Sequence, residues 1–131
     1  MDPNAMVNDE LANGRKLIET LISGGLDVRL AFWVKRTDAD DWRLYLSTPL
    51  VDDQGPAVAH RTIFNQIRRM PEYGIDPESV GLVGMNDSAT TKAMEAVPAR
   101  NPYPRITRYS GSSFNGMDVN GVYIYPPFQA A

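Results

Sequence analysis

Basic and aromatic side chains alternate with apolar ones along two neighbouring segments, 28–35 and 42–47. Because successive side chains of a β-strand point to opposite faces, each segment predicts a strand with one apolar face and one basic, aromatic face. The apolar face is expected to carry Val28, Leu30, Phe32, Val34, Trp42, Leu44 and Leu46. The opposite face, widened by two tyrosines near the C-terminus, predicts a binding surface of Arg29, Trp33, Lys35, Arg43, Tyr45, Tyr123 and Tyr125.

The residue types on that second face are compatible with more than one partner. Rings interleaved with cations on an open sheet can stack bases and hold phosphates, and a nucleic-acid-binding protein or small nuclease would also use Arg61 and Arg68. Trp, Tyr and Arg also dominate the hot spots of protein interfaces, which favours a protein partner or self-association. A structural alternative is that helices cover this face, or that the rings form cross-strand pairs beside cations whose stems pack on them.

His60 is the one histidine of the chain and the sole candidate for a general base. Asp52 or Asp53, in the preceding loop, could orient its ring. No motif places a nucleophile beside it, so a structural or capping role for His60 is favoured and no catalytic residue is assigned. Whether the protein is an enzyme stays open, with a non-enzymatic role preferred.

Oxygen ligands for a hard cation could come from Asp38, Asp40 and Asp41. These acids lack the glycine and distal glutamate of a calcium loop, so an exposed turn is the simpler interpretation. The sequence 86–88 could bind an anion at a helix start, although capping alone explains its residue types. We therefore expect no metal and no cofactor.

Length and composition favour a single domain over residues 8–131, preceded by a disordered or vector-derived stretch, 1–7. The chain has 131 residues, 43% of them hydrophobic, and a net charge of −3, which is not the balance of a generally basic nucleic-acid binder. It contains no cysteine, which excludes thiolate chemistry and disulfides. It also lacks an apolar run of membrane-spanning length, so we expect a cytoplasmic protein that does not enter membranes.

The apolar periodicity predicts the elements that must position these residues. A helix over Asn8–Ser23, stopped by Gly24 and Gly25, should pack on the Phe32 and Leu44 face of a hairpin spanning 26–48. The remaining predicted elements are a helix over about 56–70, a strand over 80–85 in the middle of the sheet, a helix over 88–97 and a strand over 105–109.

A second hairpin is predicted over 114–125. With Asn120 and Gly121 in the turn, Val119 would face Val122 and Met117 would face Ile124 on one side. Asn115 and Gly116 form a competing turn sequence that breaks this match. The order α-β-β-α-β-α-β-β-β predicts an α+β two-layer sandwich, with a mixed or antiparallel sheet and helices mainly on one face.

The sequences Asp41-Trp42-Arg43-Leu44, 47–52, Gly55-Pro56 and 121–125 resemble those of small uncharacterised bacterial α+β proteins. The resemblance implies an α+β domain of no assigned activity and transfers no site residues. Together with the residue patterns, it favours a small protein-interaction or regulatory module, with nucleic-acid binding as the alternative.

Overall fold

The computed structural model describes residues 8–39, 41–97, 106–109 and 111–128. Its helices are α1 (Asn8–Ser23), α2 (Pro49–Gln54), α3 (Pro56–Arg68) and α4 (Ser88–Ala96). Its strands are β1 (Leu30–Arg36), β2 (Arg43–Ser47), β3 (Val80–Val83), β4 (Thr107–Tyr109), β5 (Ser113–Phe114) and β6 (Met117–Ile124). The predicted N-terminal stretch 1–7 lies outside the described residues, as do Asp40 and Arg105.

The strands form a mixed sheet in the order β3-β2-β1-β6-β4, with β5 paired to β6. β2 and β3 run parallel, whereas the other pairs are antiparallel. The parallel pair needs a crossover, and the segment containing α2 and α3 supplies it. The predicted α+β class with a mixed sheet is confirmed.

Both faces of the sheet are covered. One face packs Trp33, Leu44 and Tyr125 against residues of α1 and α3. The other face packs Phe32 and Ile124 against residues that include the α4 alanines 89 and 93. The two longest helices thus lie on one face and α4 on the other, which agrees with helices mainly on one face.

The prediction that the alternating apolar residues of β1 and β2 share one face is wrong. Phe32 lies opposite Tyr45, and Trp33 lies opposite Leu44. Because side chains alternate along a strand, a shift of one residue in the pairing moves every side chain of one strand to the opposite face of the sheet. Hence α1 packs beside Trp33 and Leu44, and the expected shared face of Phe32 and Leu44 does not exist.

The helices α2 and α4 begin at side-chain caps, and α1 and α2 end at glycines. Gly25 has a φ of 100°, the left-handed conformation that ends α1 as predicted. α2 was not predicted; the Thr48 side chain caps it by accepting a hydrogen bond from the Leu50 N–H at 3.2 Å. The Asp87 side chain caps α4 by accepting from the Ala89 N–H at 2.8 Å. Gly55 separates α2 from α3 with a φ of 88°.

Two further strand predictions are corrected. β3 is the last strand on its side of the sheet, not a central one. The C-terminal hairpin turns at Asn115 and Gly116, whose φ values of 51° and 78° suit a tight hairpin turn. Residues 120 and 121 instead lie inside β6, where the pairing with β1 is irregular.

Candidate functional site

The predicted aromatic and basic surface does not form as one face. Tyr45 and Arg43 lie on the α4 side of the sheet, whereas Trp33, Tyr123 and Tyr125 lie on the side covered by α1 and α3. Trp33 is 5% exposed, Tyr123 8% and Tyr125 0%. The rings are therefore core residues, in agreement with the structural alternative raised from the sequence.

Polar atoms of the buried rings are bonded to each other. The Trp33 Nε1–H donates to the Tyr125 hydroxyl at 2.9 Å, and that hydroxyl donates to the Leu11 carbonyl of α1 at 2.6 Å. Burial raises the pKa of Tyr125 to about 12. This group is neutral and fully bonded, so it stabilises the fold and offers no chemistry to a ligand.

The cations of the predicted surface, Arg29, Arg43 and Lys35, either contact a neighbouring side chain or lie at a distance from the other cations. The exposed Arg29 donates to the Asp27 carboxylate at 3.0 and 2.9 Å, and this pairing lowers the pKa of Asp27. Arg43 lies over the Tyr45 ring, 5.8 Å from its centroid. Lys35 is half-buried on β1. These three cations do not converge on a common ligand position.

His60 is exposed on α3, and its ring lies 5.2 Å from that of Phe64. Of the two suggested orienting acids, Asp52 has another role, because its carboxylate accepts a hydrogen bond from the Met85 N–H at 2.7 Å. A Cβ added to Gly84 would overlap the same carboxylate, which shows how closely Asp52 packs on the loop after β3. The geometry therefore does not assemble a general base at His60.

His60 does line an open groove between α3 and the edge strand β3. We call this the α3–β3 groove; its volume is about 620 Å³. Its helical wall includes His60, Arg61, Phe64 and Arg68, and its strand wall is Leu82. Phe64, on the apolar stripe of α3, is half-buried, and its ring lines the groove.

The strand wall of the groove has backbone groups available for pairing. The Val83 carbonyl accepts from the Thr48 N–H at 3.0 Å and so points toward β2. Since the N–H and C=O of successive strand residues alternate in direction, those of Leu82 point away from β2. No strand of the described chain pairs with β3 on that side.

The helical wall of the groove is basic. α3 contains His60, Arg61 and Arg68 but no Asp or Glu. The Arg68 guanidinium lies over the Phe64 ring, 4.6 Å from its centroid. Salt bridges within the described chain involve Arg15, Arg29, Arg36 and Lys92, and none of them uses the arginines of α3.

Two further clefts flank Trp42. They measure about 620 and 490 Å³ and share Asp41, Trp42, Asp76 and Ser79. Two of the acids at these clefts have partners nearby: the Asp76 side chain accepts from the Glu78 N–H at 3.0 Å, and Asp38, at the larger cleft, pairs with Arg36 at 3.3 Å. Across residues 8–39, 41–97, 106–109 and 111–128, no group of three His, Cys, Asp or Glu side chains could hold a metal ion.

The sequence predicts Arg61 and Arg68 as cations for one possible ligand and His60 as a separate candidate, but it does not reveal the groove that all three line. The remaining wall of the groove is Leu82. It was predicted to lie in a central strand because it belongs to an apolar run of six residues. The sequence contains a signal for an edge strand, because Gly84 leaves a strand of four residues before it, and so short a strand is typical of a sheet edge.

No known protein family, curated protein or solved structure matches this chain. Within the described part of the chain, none of the helices combines the length and the apolar character that crossing a membrane requires.

Proposed function

We propose that this protein is a protein-interaction module that binds an extended segment of a partner as an added strand beside β3. The observation that carries the proposal is the outward direction of the Leu82 N–H and C=O at the wall of the α3–β3 groove. Strand addition joins main-chain hydrogen bonds to side-chain pockets in one site.

The free edge offers a limited set of groups. The Val80 N–H is already bonded to the Pro77 carbonyl, whereas no strand of the described chain pairs with the Val80 carbonyl or with the two backbone groups of Leu82. A partner strand bonded there would direct alternate side chains toward α3, where they would contact Phe64 and Leu82. The groove therefore supports recognition by both backbone pairing and side-chain packing.

A pair of variants at Leu82 tests the backbone contribution. Leu82→Ala and Leu82→Pro both remove the Leu side chain, but only proline removes the outward N–H. Proline is tolerated on an edge strand when the lost N–H faces solvent, so the bonds between β2 and β3 are expected to persist. Circular dichroism and thermal unfolding of both variants check this.

Binding is measured with peptides selected from a displayed library of random sequences. We expect Leu82→Pro to bind the selected peptides about fivefold more weakly than Leu82→Ala does, since one interfacial hydrogen bond contributes about 1 kcal/mol. Hydrogen exchange of the Leu82 amide should slow when a peptide binds. Failure to select any peptide, or equal affinity of folded Leu82→Ala and Leu82→Pro, would contradict the proposal.

Nucleic-acid binding is not proposed as a second function. The sequence-based hypothesis depended on one sheet face carrying both rings and cations, and the described strands divide those residues between two faces. A salt titration of RNA and DNA binding would test that alternative directly, because phosphate contacts weaken steeply with salt.

A further inference from the structure

We infer that the segment bound in the α3–β3 groove is an acidic strand of a different protein, with carboxylates that contact Arg61 and Arg68 on either side of an apolar residue. This inference rests on the proposed strand addition and names the chemistry of the partner. It follows from the charges of α3 and from their spacing.

The charge of α3 is opposite to that of the chain as a whole. The protein has 16 acidic and 13 basic Lys and Arg residues, yet α3 carries only positive or neutral side chains. Arg61, Arg68 and Arg69 are exposed. A cationic helix in an otherwise acidic protein attracts an anionic segment.

The two groove arginines lie on one stripe of the helix. Arg61, Phe64 and Arg68 are at positions i, i+3 and i+7, which face the same direction. Seven residues of helix span about 10 Å, at about 1.5 Å per residue. The Phe64 ring, with Arg68 over it, lies between the two charges.

An extended partner matches this spacing. Side chains two residues apart on a strand point the same way, and residues four apart are separated by about 13 Å. The flexible arginine side chains can reach over the remaining difference. A sequence with acids at the first and fifth positions and an apolar residue at the third would therefore place its carboxylates at Arg61 and Arg68 and its apolar side chain at Phe64.

A second copy of the chain suits this groove less well. Pairing of two β3 edges about a two-fold axis would bring two α3 helices together on neighbouring strands. Each helix contributes Arg61 and Arg68, so like charges would face each other without acids on either helix. The charge pattern favours a different, acidic partner.

The test uses labelled peptides with the core Glu-Thr-Val-Thr-Glu, compared with the same peptide carrying Gln or Lys in place of both Glu residues. We expect the Glu peptide to bind about fivefold more tightly than the Gln peptide, with the Lys peptide weaker still, because an exposed ion pair contributes roughly a two- to fivefold change. This preference should shrink as salt is added.

Variants of the protein locate the charges. Arg61→Gln and Arg68→Gln should each reduce the preference for Glu over Gln, and the double variant should remove it. Lys16→Gln, on the exposed side of α1, makes the same change of net charge away from the groove and should leave the preference intact.

The outcomes separate this inference from the proposed function. Equal binding of Glu and Gln peptides that still depends on the Leu82 N–H would overturn the acidic partner and keep strand addition. Absence of any peptide binding, or binding insensitive to Leu82→Pro, would overturn both. Concentration-dependent dimerisation in sedimentation that Leu82→Pro abolishes would show that the occupant is a second copy.

Discussion

The indole N–H of Trp33 in β1 donates to the hydroxyl of Tyr125, just after β6, at 2.9 Å in the buried core. The same hydroxyl donates to the Leu11 carbonyl at 2.6 Å, so a single oxygen joins the sheet to α1. Both rings were predicted to be surface residues. Their mutual bond explains how two polar groups are accommodated in an apolar layer.

Replacement of Tyr125 by phenylalanine should destabilise the protein. Tyr125→Phe keeps the ring but leaves the Trp33 N–H without its acceptor at a site that is 5% exposed. We expect a loss of about 1–3 kcal/mol in the free energy of unfolding, measured by urea denaturation. The control is Tyr73→Phe, which removes an exposed bond to Thr20 that water can replace. Equal stability losses in the two variants would contradict the assignment.

Alkaline pH should destabilise the fold through Tyr125. Burial raises the pKa of this hydroxyl from 10.0 to about 12, so above pH 10 the unfolded chain releases this proton while the folded chain retains it. The folded state then binds more protons, and stability falls as the pH rises. The contribution is complete below pH 10 and is lost as the pH approaches 12, a change of about 3 kcal/mol.

This pH dependence is measured by unfolding in urea across the alkaline range. Tyr125→Phe has no hydroxyl to ionise at this position, so its stability should fall less steeply than that of the natural chain. Parallel pH profiles for the two proteins would show that Tyr125 does not titrate as its burial implies.

Alanine at Gly14 should destabilise α1 in spite of its higher helix propensity. A Cβ at this position would overlap the Tyr125 hydroxyl and lie 3.1 Å from Trp33 Cζ2. Propensity favours alanine by about 1 kcal/mol, whereas overpacking and disruption of the buried bonds cost about 1–3 kcal/mol or more. We expect net destabilisation in thermal unfolding, while Lys16→Ala on the exposed side should have little effect. A more stable Gly14→Ala protein would argue against this packing.

The two Asn-Gly sequences should respond differently to alanine. Asn115 adopts a φ of 51°, which costs an alanine about 1 kcal/mol, whereas Asn120 is an exposed strand residue. Asn115→Ala should therefore lower the unfolding temperature and Asn120→Ala should change it little. The reverse order would indicate that the hairpin turns at 120 and 121.

Local signals in the sequence were sufficient for most of the elements. The stripe of Leu11, Leu17, Ile18 and Leu21 predicted α1, and Gly25 ended it. The apolar stripe after Pro56 predicted α3, and Asp87 with its neighbours predicted the cap of α4. These features depend on residues within a few positions of each other, which is why the sequence alone reveals them.

Strand register and burial depended on distant parts of the chain. β1 alternates in type, but Trp33 and Phe32 are both buried because separate layers cover the two faces. For the C-terminal hairpin, a match among four apolar residues selected the wrong Asn-Gly turn. In the structure those four residues all lie on one strand, β6, which pairs with β1 and with β5.

The sequence by itself determined the α+β class, the main helices and the presence of a cationic stripe on α3, because periodicity and capping act over short distances. Only the tertiary structure decided that the aromatic residues belong to the core and that β3 lies at the edge beside α3. The physical reason is that strand neighbours and layer contacts join residues far apart in the chain, and a one-residue change of register exchanges the faces on which all side chains of the shifted strand lie.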